Sequence, residues 1–278
     1  MNRPLVYIIV LTWNGKADTI ECLNFLQHVE YQNFKIVVVD NGSTDGTCEA
    51  IKKQFPVVEL VANKENLRFA GGNNVGMQYA LQNGAEYVLL LNNDTVVDKH
   101  FLKNLLEVAS TNPGIGMVGP KIYYFTDKQR LWYAGGKIVW WKGLVSHVGI
   151  REVDHGQYDE IKETDYITGC CILVKRSVIE SIGMLDERYF IYGEDADWCV
   201  RTTRKGFNLV YVPASVIWHK VSVSAGGHLS WFKNWNKLKS TLRFFARYAA
   251  WHQWITIPFG LSIGILMSII KIKNADTD

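Results

Sequence analysis

A short apolar run that stops abruptly in oxygen-bearing side chains recurs through the first hundred residues, and few folds accommodate that repetition. The strongest copy is Val88-Leu89-Leu90-Leu91, closed by Asn92-Asn93-Asp94-Thr95. An unbroken apolar run of this length is what a strand covered on both faces looks like. Residues 6–11 form a similar run closed by Thr12-Trp13-Asn14-Gly15, and 35–39 one closed by Asp40-Asn41-Gly42-Ser43-Thr44-Asp45-Gly46. Residues 57–61 read as a further strand, followed by a loop over 66–76. Helices are expected over 17–29, where Ile20, Leu23, Phe25 and Leu26 have helical spacing, over 47–55, and up to Gln82. Strand, polar loop and helix in alternation predict βαβ units: an α/β protein with a Rossmann-like, mostly parallel central sheet flanked by helices.

In such a sheet the residues closing successive strands converge on one rim, so Thr12, Asn14, Asp40 and Asp94 would line one crevice. Asp94, with the Asn92 carboxamide two residues earlier on the same side of the pleat, suits a hard divalent cation that also holds substrate phosphates. The competing reading is a polar turn that caps the next helix. Asp40 can accept hydrogen bonds from a base or a ribose hydroxyl. Gly71, Gly72 and Gly76 would let backbone approach a ligand, and Arg68 offers a cation for a diphosphate. No G-x-G-x-x-G follows the first strand, which excludes the dinucleotide fingerprint.

The 278 residues, 48% of them hydrophobic, suffice for one large domain or a domain with an appendage, and no repeat or glycine-serine linker divides them. Five cysteines (Cys22, Cys48, Cys170, Cys171, Cys199), with no C-x-x-C pair, read as free thiols in a reducing compartment. Residues 1–4 lead straight into a strand, so no signal peptide is expected. Charge is unevenly spread. Residues 198–275 carry eleven Lys and Arg and no Asp or Glu; the other 19 Lys and Arg against all 27 Asp and Glu leave −8 on the remainder. A basic, apolar tail points to an anionic neighbour rather than to nucleic acid.

In the second half, 166–174 reads as a strand carrying Gly169, and Glu194, Asp195 and Asp197 gather between aromatic residues ahead of Arg201. Like charges in a partly apolar pocket raise one another's pKa, which suits a general base. The same residues also suit a helix amino terminus, with Asp197 and Arg201 pairing at i, i+4. His219 follows an apolar strand, where a lone histidine is more often structural than a ligand. Over 230–249, Trp231, Trp235, Leu238, Leu242 and Phe245 recur at helical spacing with basic residues on another arc. That helix would lie on an anionic membrane, or pack on the catalytic domain or on a homodimer partner. Residues 254–270 carry no charge over about a membrane-spanning length but include Pro258, Gly260 and Gly264.

Taken together, Thr12-Trp13-Asn14, Val38-Val39-Asp40-Asn41-Gly42-Ser43-Thr44-Asp45-Gly46, Phe69-Ala70-Gly71-Gly72-Asn73-Asn74 and Leu90-Leu91-Asn92-Asn93-Asp94 resemble the family 2 glycosyltransferases of GT-A fold, in the branch that contains bacterial rhamnosyltransferases. The likeness covers roughly 5–225. It implies a catalytic domain over 1–228, with a nucleotide-sugar half at 1–98 and an acceptor half at 99–228, and a helical, membrane-associating tail over 229–278. Thr12, Asn14, Asp40, Arg68, Asn74, Asn92 and Asn93 would hold the donor. Asn92 stands where the family's D-x-D motif has its first acid. Asp94 and His219 would hold Mg²⁺ or Mn²⁺, with Lys220, Ser222 and the loop at 224–227 beside the diphosphate. Asp195 would be the base, with Glu194 orienting the acceptor. The implied reaction is inverting transfer of a sugar, rhamnose among the candidates, from a dTDP- or UDP-linked donor to a glycan or lipid-linked glycan on the cytoplasmic side of the cell membrane. A sugar nucleotidyltransferase and a non-catalytic nucleotide-sugar-binding protein are the alternatives; the first usually has a glycine-rich, basic loop where Thr12-Trp13-Asn14-Gly15 stands.

Overall fold

The computed structural model describes residues 3–221, 231–260 and 262. The first half follows the expected alternation: β1 (Val6–Thr12), α1 (Lys16–Leu26), β2 (Phe34–Asp40), α2 (Thr47–Gln54), β3 (Glu59–Ala62), α3 (Arg68–Gln82) and β4 (Tyr87–Asn92). These strands pair in parallel in the order β3-β2-β1-β4, which sets Thr12 opposite Asp40 and Leu11 opposite Asn92. Ile8, Ile9, Val10, Val37, Val38, Val88 and Leu89 have no solvent exposure, as a strand covered on both faces requires.

Beyond β4 lie β5 (Thr95–Val97), α4 (Phe101–Thr111), β6 (Ile115–Tyr124), β7 (Leu131–Tyr133), β8 (Gly136–Val139), β9 (Leu144–His147), β10 (Lys162–Glu163), β11 (Cys171–Lys175), α5 (Arg176–Ile182), α6 (Glu194–Arg204) and β12 (Asn208–His219). The sheet continues β4-β11-β6-β12-β10, with β11 antiparallel to both of its neighbours and β12 parallel to β6. This half is therefore mixed, yet β6 and β12 run in the direction of β1 to β4, so the central sheet as a whole is mostly parallel, as expected. A parallel return needs a long crossover. Only strands and one 3-10 turn lie between β6 and β11, whereas α5 and α6 precede β12. β5 pairs antiparallel with the end of β12, setting His219 opposite Thr95 at the rim.

Two expectations change. The glycines of 66–76 lie inside α3, not in a loop. A Cβ on Gly76 would stand 2.5 Å from Ile9 Cγ2, and one on Gly72 would stand 2.4 Å from Leu11 Cδ1. Gly72 and Gly76 let α3 sit close on the sheet, whereas Gly71 faces Leu67 and Glu187. In α7 (Trp231–Tyr248) the buried arc is Asn236, Ser240, Phe244, Phe245 and Tyr248, while Trp235 and Leu242 remain exposed. Phe245 is thus committed to the protein body, with Trp140 stacked on Phe244 at 5.9 Å and edge-on to Phe245 at 5.8 Å. The arc expected to face a membrane is divided between the core and solvent. Among the described residues no helix is long and apolar enough to cross a membrane. Ser222, the loop at 224–227 and most of 254–270 lie outside the described residues.

The close approach of α3 can be tested by Gly76→Ala. Helix propensity favours alanine, yet the added methyl has no space, and overpacking of this kind costs about 1–3 kcal/mol. Urea unfolding should show a lower midpoint with an unchanged slope.

Candidate active site

The rim is built by polar groups that first satisfy one another. Thr12 Oγ1, at the end of β1, accepts from Thr19 Oγ1 at 2.8 Å and from Asn93 Nδ2 at 3.3 Å. Asn93 Nδ2 also reaches Thr19 Oγ1 at 3.0 Å. Asn14 receives Thr44 N on its Oδ1 and donates its own backbone N–H to Ser43 Oγ, both at 2.8 Å, joining the first two strand-end loops. Asp40 is 1% exposed; its Oδ1 accepts Ser43 N at 2.8 Å, and its buried Oδ2 has no hydrogen-bond partner among the described residues. A buried carboxylate oxygen without a donor is a costly feature that a nucleotide's N–H or hydroxyl would satisfy.

Arg68 opens α3 in a left-handed backbone conformation and lays its guanidinium over the Phe190 ring at 3.7 Å. It thereby touches the loop that leads into α6. Asn74 is used differently from the expectation. Its Nδ2 donates to Leu185 O at 3.0 Å and to Glu187 Oε1 at 2.8 Å, while its Oδ1 accepts Leu185 N at 3.0 Å. Its amide joins α3 to the segment before α6.

The turn from β4 to β5 is closed by Thr95 Oγ1 donating to Asn92 O at 2.7 Å, and half-buried Asn92 stands at the strand's end. Asp94 follows it, 7% exposed, with Oδ1 3.1 Å from His219 Nε2. The other ring nitrogen of His219, Nδ1, is buried without a hydrogen-bond partner among the described residues. One carboxylate and one imidazole suit a divalent cation whose remaining positions go to diphosphate oxygens and water. Two side chains of this kind fit such a cation as part of its shell; no cluster of three or more ligating side chains occurs among the described residues. Lys220 sits at the rim, its backbone N–H donating to Asp94 O at 2.9 Å, while its ammonium is taken by Asp18 at 2.6 Å and Glu21 at 2.5 Å on α1.

On the opposite side, α6 presents the carboxylate cluster at its amino terminus. Asp197 is fully buried and structural, receiving Arg201 Nε at 2.8 Å, Arg247 Nη1 at 2.9 Å and Tyr248 Oη at 2.7 Å. Asp195 is half-buried; its Oδ2 accepts Gly169 N at 2.9 Å and its Oδ1 accepts Ala196 N at 2.8 Å. Burial raises its pKa, and those backbone donors oppose the rise. Glu194 is 6% exposed, and its Oε2 has no hydrogen-bond partner among the described residues. Burial, and after it the charge of Asp195, pushes Glu194 up. Hydrogen bonds to the anion favour ionisation, and the Gly169 and Ala196 N–H groups give Asp195 an environment suited to carrying charge.

A short segment joins the two sides. Gly169 donates to Asp195, and the next carbonyl, that of Cys170, accepts Asn92 N at 2.9 Å. The Cys170 thiol is pushed far up, by burial first and then by the Asp94 charge. A wall of aromatic rings extends from His219: Trp132 meets His219 at 4.5 Å and His147 at 4.4 Å, and His147 lies 5.9 Å from Tyr166. Burial pushes His147 down to about 4, so it is neutral at ordinary pH. His147 escaped the sequence reading; its one signal is its place near the aromatic residues between 132 and 141.

The sequence profile of glycosyl transferase family 2 matches residues 7–183. The chain is 28% identical over 268 residues to the N-acetylglucosaminyl-diphospho-decaprenol L-rhamnosyltransferase of Mycobacterium tuberculosis, covering 88% of this chain and 85% of that one. It is 26% identical over 216 residues to the dTDP-rhamnosyl transferase RfbF of Shigella flexneri, covering 78% and 69%. Against y4gI of Sinorhizobium fredii, 29% identical over 237 residues, it covers 80% of itself and spans 25% of that protein's length. Among solved structures, GalNAc-T7 with UDP, GalNAc and Mn²⁺ shares the fold, with a TM-score of 0.62 at 17% identity over 78% of this chain and 44% of that one. The matched stretch runs from β1 past the Asp94 turn and through β11, the strands that carry the rim, and by that match the chain belongs to glycosyl transferase family 2.

Proposed function

We propose that the chain is an inverting, metal-dependent transferase that moves a sugar from a nucleotide-diphosphate donor to a hydroxyl of a glycan or lipid-linked glycan, in cell-surface polysaccharide synthesis. The observation that carries this reading is the placing of the Asp94–His219 pair and the Asp195 carboxylate on either side of the segment 169–170. An acceptor hydroxyl gives its proton to Asp195 while its oxygen forms a bond to the anomeric carbon. The bond from that carbon to the diphosphate breaks on the opposite face, so one displacement inverts the centre. Glu194, beside Asp195, orients the acceptor. Mg²⁺ or Mn²⁺ held by Asp94 and His219 would supply positive charge to the departing diphosphate. Thr12, Asn14, Asp40 and Arg68 fix the nucleotide side. The relatives named as rhamnosyltransferases put dTDP-rhamnose first among donors, with UDP-linked sugars next. The basic tail supports work at the cytoplasmic face of a membrane.

Thermal unfolding with dTDP, UDP and their sugars, with and without Mn²⁺, tests the donor site, because a ligand specific for the folded state raises the midpoint. A metal-dependent rise with one base is the expected result; no shift with any of them would sink the transferase reading. Asp195→Asn should keep that shift and lose turnover by about 10²–10⁴, the usual contribution of a general base. Near-normal turnover would remove Asp195 from its role.

Glu194 makes a pH prediction. Its folded pKa lies above its unfolded one, so its contribution to stability is full below the ordinary glutamate range and is lost as pH rises through the raised value. Glu194→Gln should therefore gain stability relative to the parent as pH rises, a difference readable in paired denaturant titrations at acid and alkaline pH. A constant difference across that range would show that Glu194 ionises normally.

A further inference from the structure

Two segments far apart in sequence build an apolar edge that the transfer chemistry does not use. The turn between β8 and β9 presents Trp141, 56% exposed, and the chain beyond α7 presents Trp251, Ile255 and Phe259 at 81%, 63% and 70%. These side chains belong to one edge because Gly260 rests against Lys142, where an added Cβ would stand 2.5 Å from the Lys142 carbonyl oxygen. Trp141 and Phe259 are the chain neighbours of those touching residues. Both segments are anchored from behind, by Trp140 on Phe244 and Phe245 and by fully buried Ile257. The large apolar groups therefore point outward from a fixed backbone.

Cations flank this edge. Lys142 Nζ lies over the Trp141 ring at 4.7 Å. Three residues before Trp251, Tyr248 borders a cleft of about 520 Å³ lined by Ile182, Arg201, Arg204, Lys205 and Arg247. Asp197 pairs with Arg201, and Asp197 and Asp186 with Arg247, whereas the Arg204 guanidinium stacks on the Tyr248 ring at 4.7 Å. No Asp or Glu occurs in residues 198–275, and 254–270 carries no charge of either sign. Tryptophan and other apolar side chains beside unopposed cations are the composition that seats at a headgroup boundary, the apolar groups entering it and the cations meeting phosphates.

We propose that this edge docks on an anionic phospholipid surface, with Trp141, Trp251, Ile255 and Phe259 entering the boundary and Lys142, Arg204 and Lys205 meeting lipid phosphates. The proposal rests on the membrane-associated reading above and names the surface responsible, which is not the buried arc of α7. Seated this way, the catalytic body is held at the bilayer by its own folded surface.

The test is co-sedimentation of the full chain with vesicles of phosphatidylglycerol and phosphatidylethanolamine in equal parts, and with phosphatidylcholine vesicles. The parent should bind the anionic vesicles at least about tenfold more tightly than the neutral ones. The double variant Trp251→Ser, Phe259→Ser and the double variant Arg204→Glu, Lys205→Glu should each weaken that binding by about tenfold or more. Both should keep the parent's circular dichroism and its stabilisation by the donor nucleotide. Parent-like binding by both variants would overturn the edge while leaving membrane association standing. No binding by the parent would overturn both. A parent dimer that the apolar variant dissociates, with vesicle binding unchanged, would assign the edge to a second copy of the chain instead.

Discussion

The site depends on one buried carboxylate that does no chemistry. Asp197, fully buried, gathers Arg201 from its own helix, Arg247 and Tyr248 from α7, and Tyr189 Oη at 3.3 Å from the loop before α6. Arg201 in turn donates to Ile182 O at 2.6 Å and Met184 O at 2.7 Å. With its donors in place the buried charge is compensated. Removing one partner of such a network costs about 3–5 kcal/mol, because the remaining charges stay buried. The result is a fixed direction for α6, so that the two carboxylates just ahead of Asp197 meet Gly169 and the crevice.

Three neighbouring acids on one helix turn thus have three different environments. Asp197 is paired with cations, Asp195 is met by two backbone N–H groups, and Glu194 Oε2 is buried without a hydrogen-bond partner among the described residues. Environment, not residue type, sets the three acids apart, one committed to structure and two facing Gly169 and the crevice. A similar economy holds along the rim of β1 and β2. Asn93 and Thr12 satisfy one another, while Asp40 Oδ2 is buried without a hydrogen-bond partner among the described residues.

The strands β1, β2 and β4 were legible in the sequence because burial on both faces demands continuous apolar runs, and the oxygens that close those runs sit at the rim. The Asp197–Arg201 pair was legible as well, being a contact within one helix. Contacts between distant elements left no comparable mark. Nothing in the sequence near Asn74 shows that its amide joins Leu185, and a glycine reads the same whether a ligand or Ile9 and Leu11 press against it. The direction of β11 and the face that α7 buries are set by what each element meets across the fold. Periodicity found α7 but could not tell which arc meets Trp140.

The place of β11 in the sheet bears on how the chain is made. It is the neighbour of β4 on one side and of β6 on the other, yet it follows β4 by roughly 80 residues, which takes about 4–16 s at ordinary rates of synthesis. Throughout that interval Val88 to Leu91, an unbroken apolar run, offers an unpaired edge. An open, flat, apolar edge is a template for another chain. The nascent enzyme therefore passes through a window in which its own central strand is its chief aggregation hazard, and slow translation between β4 and β11 would lower yield without any change in the finished fold.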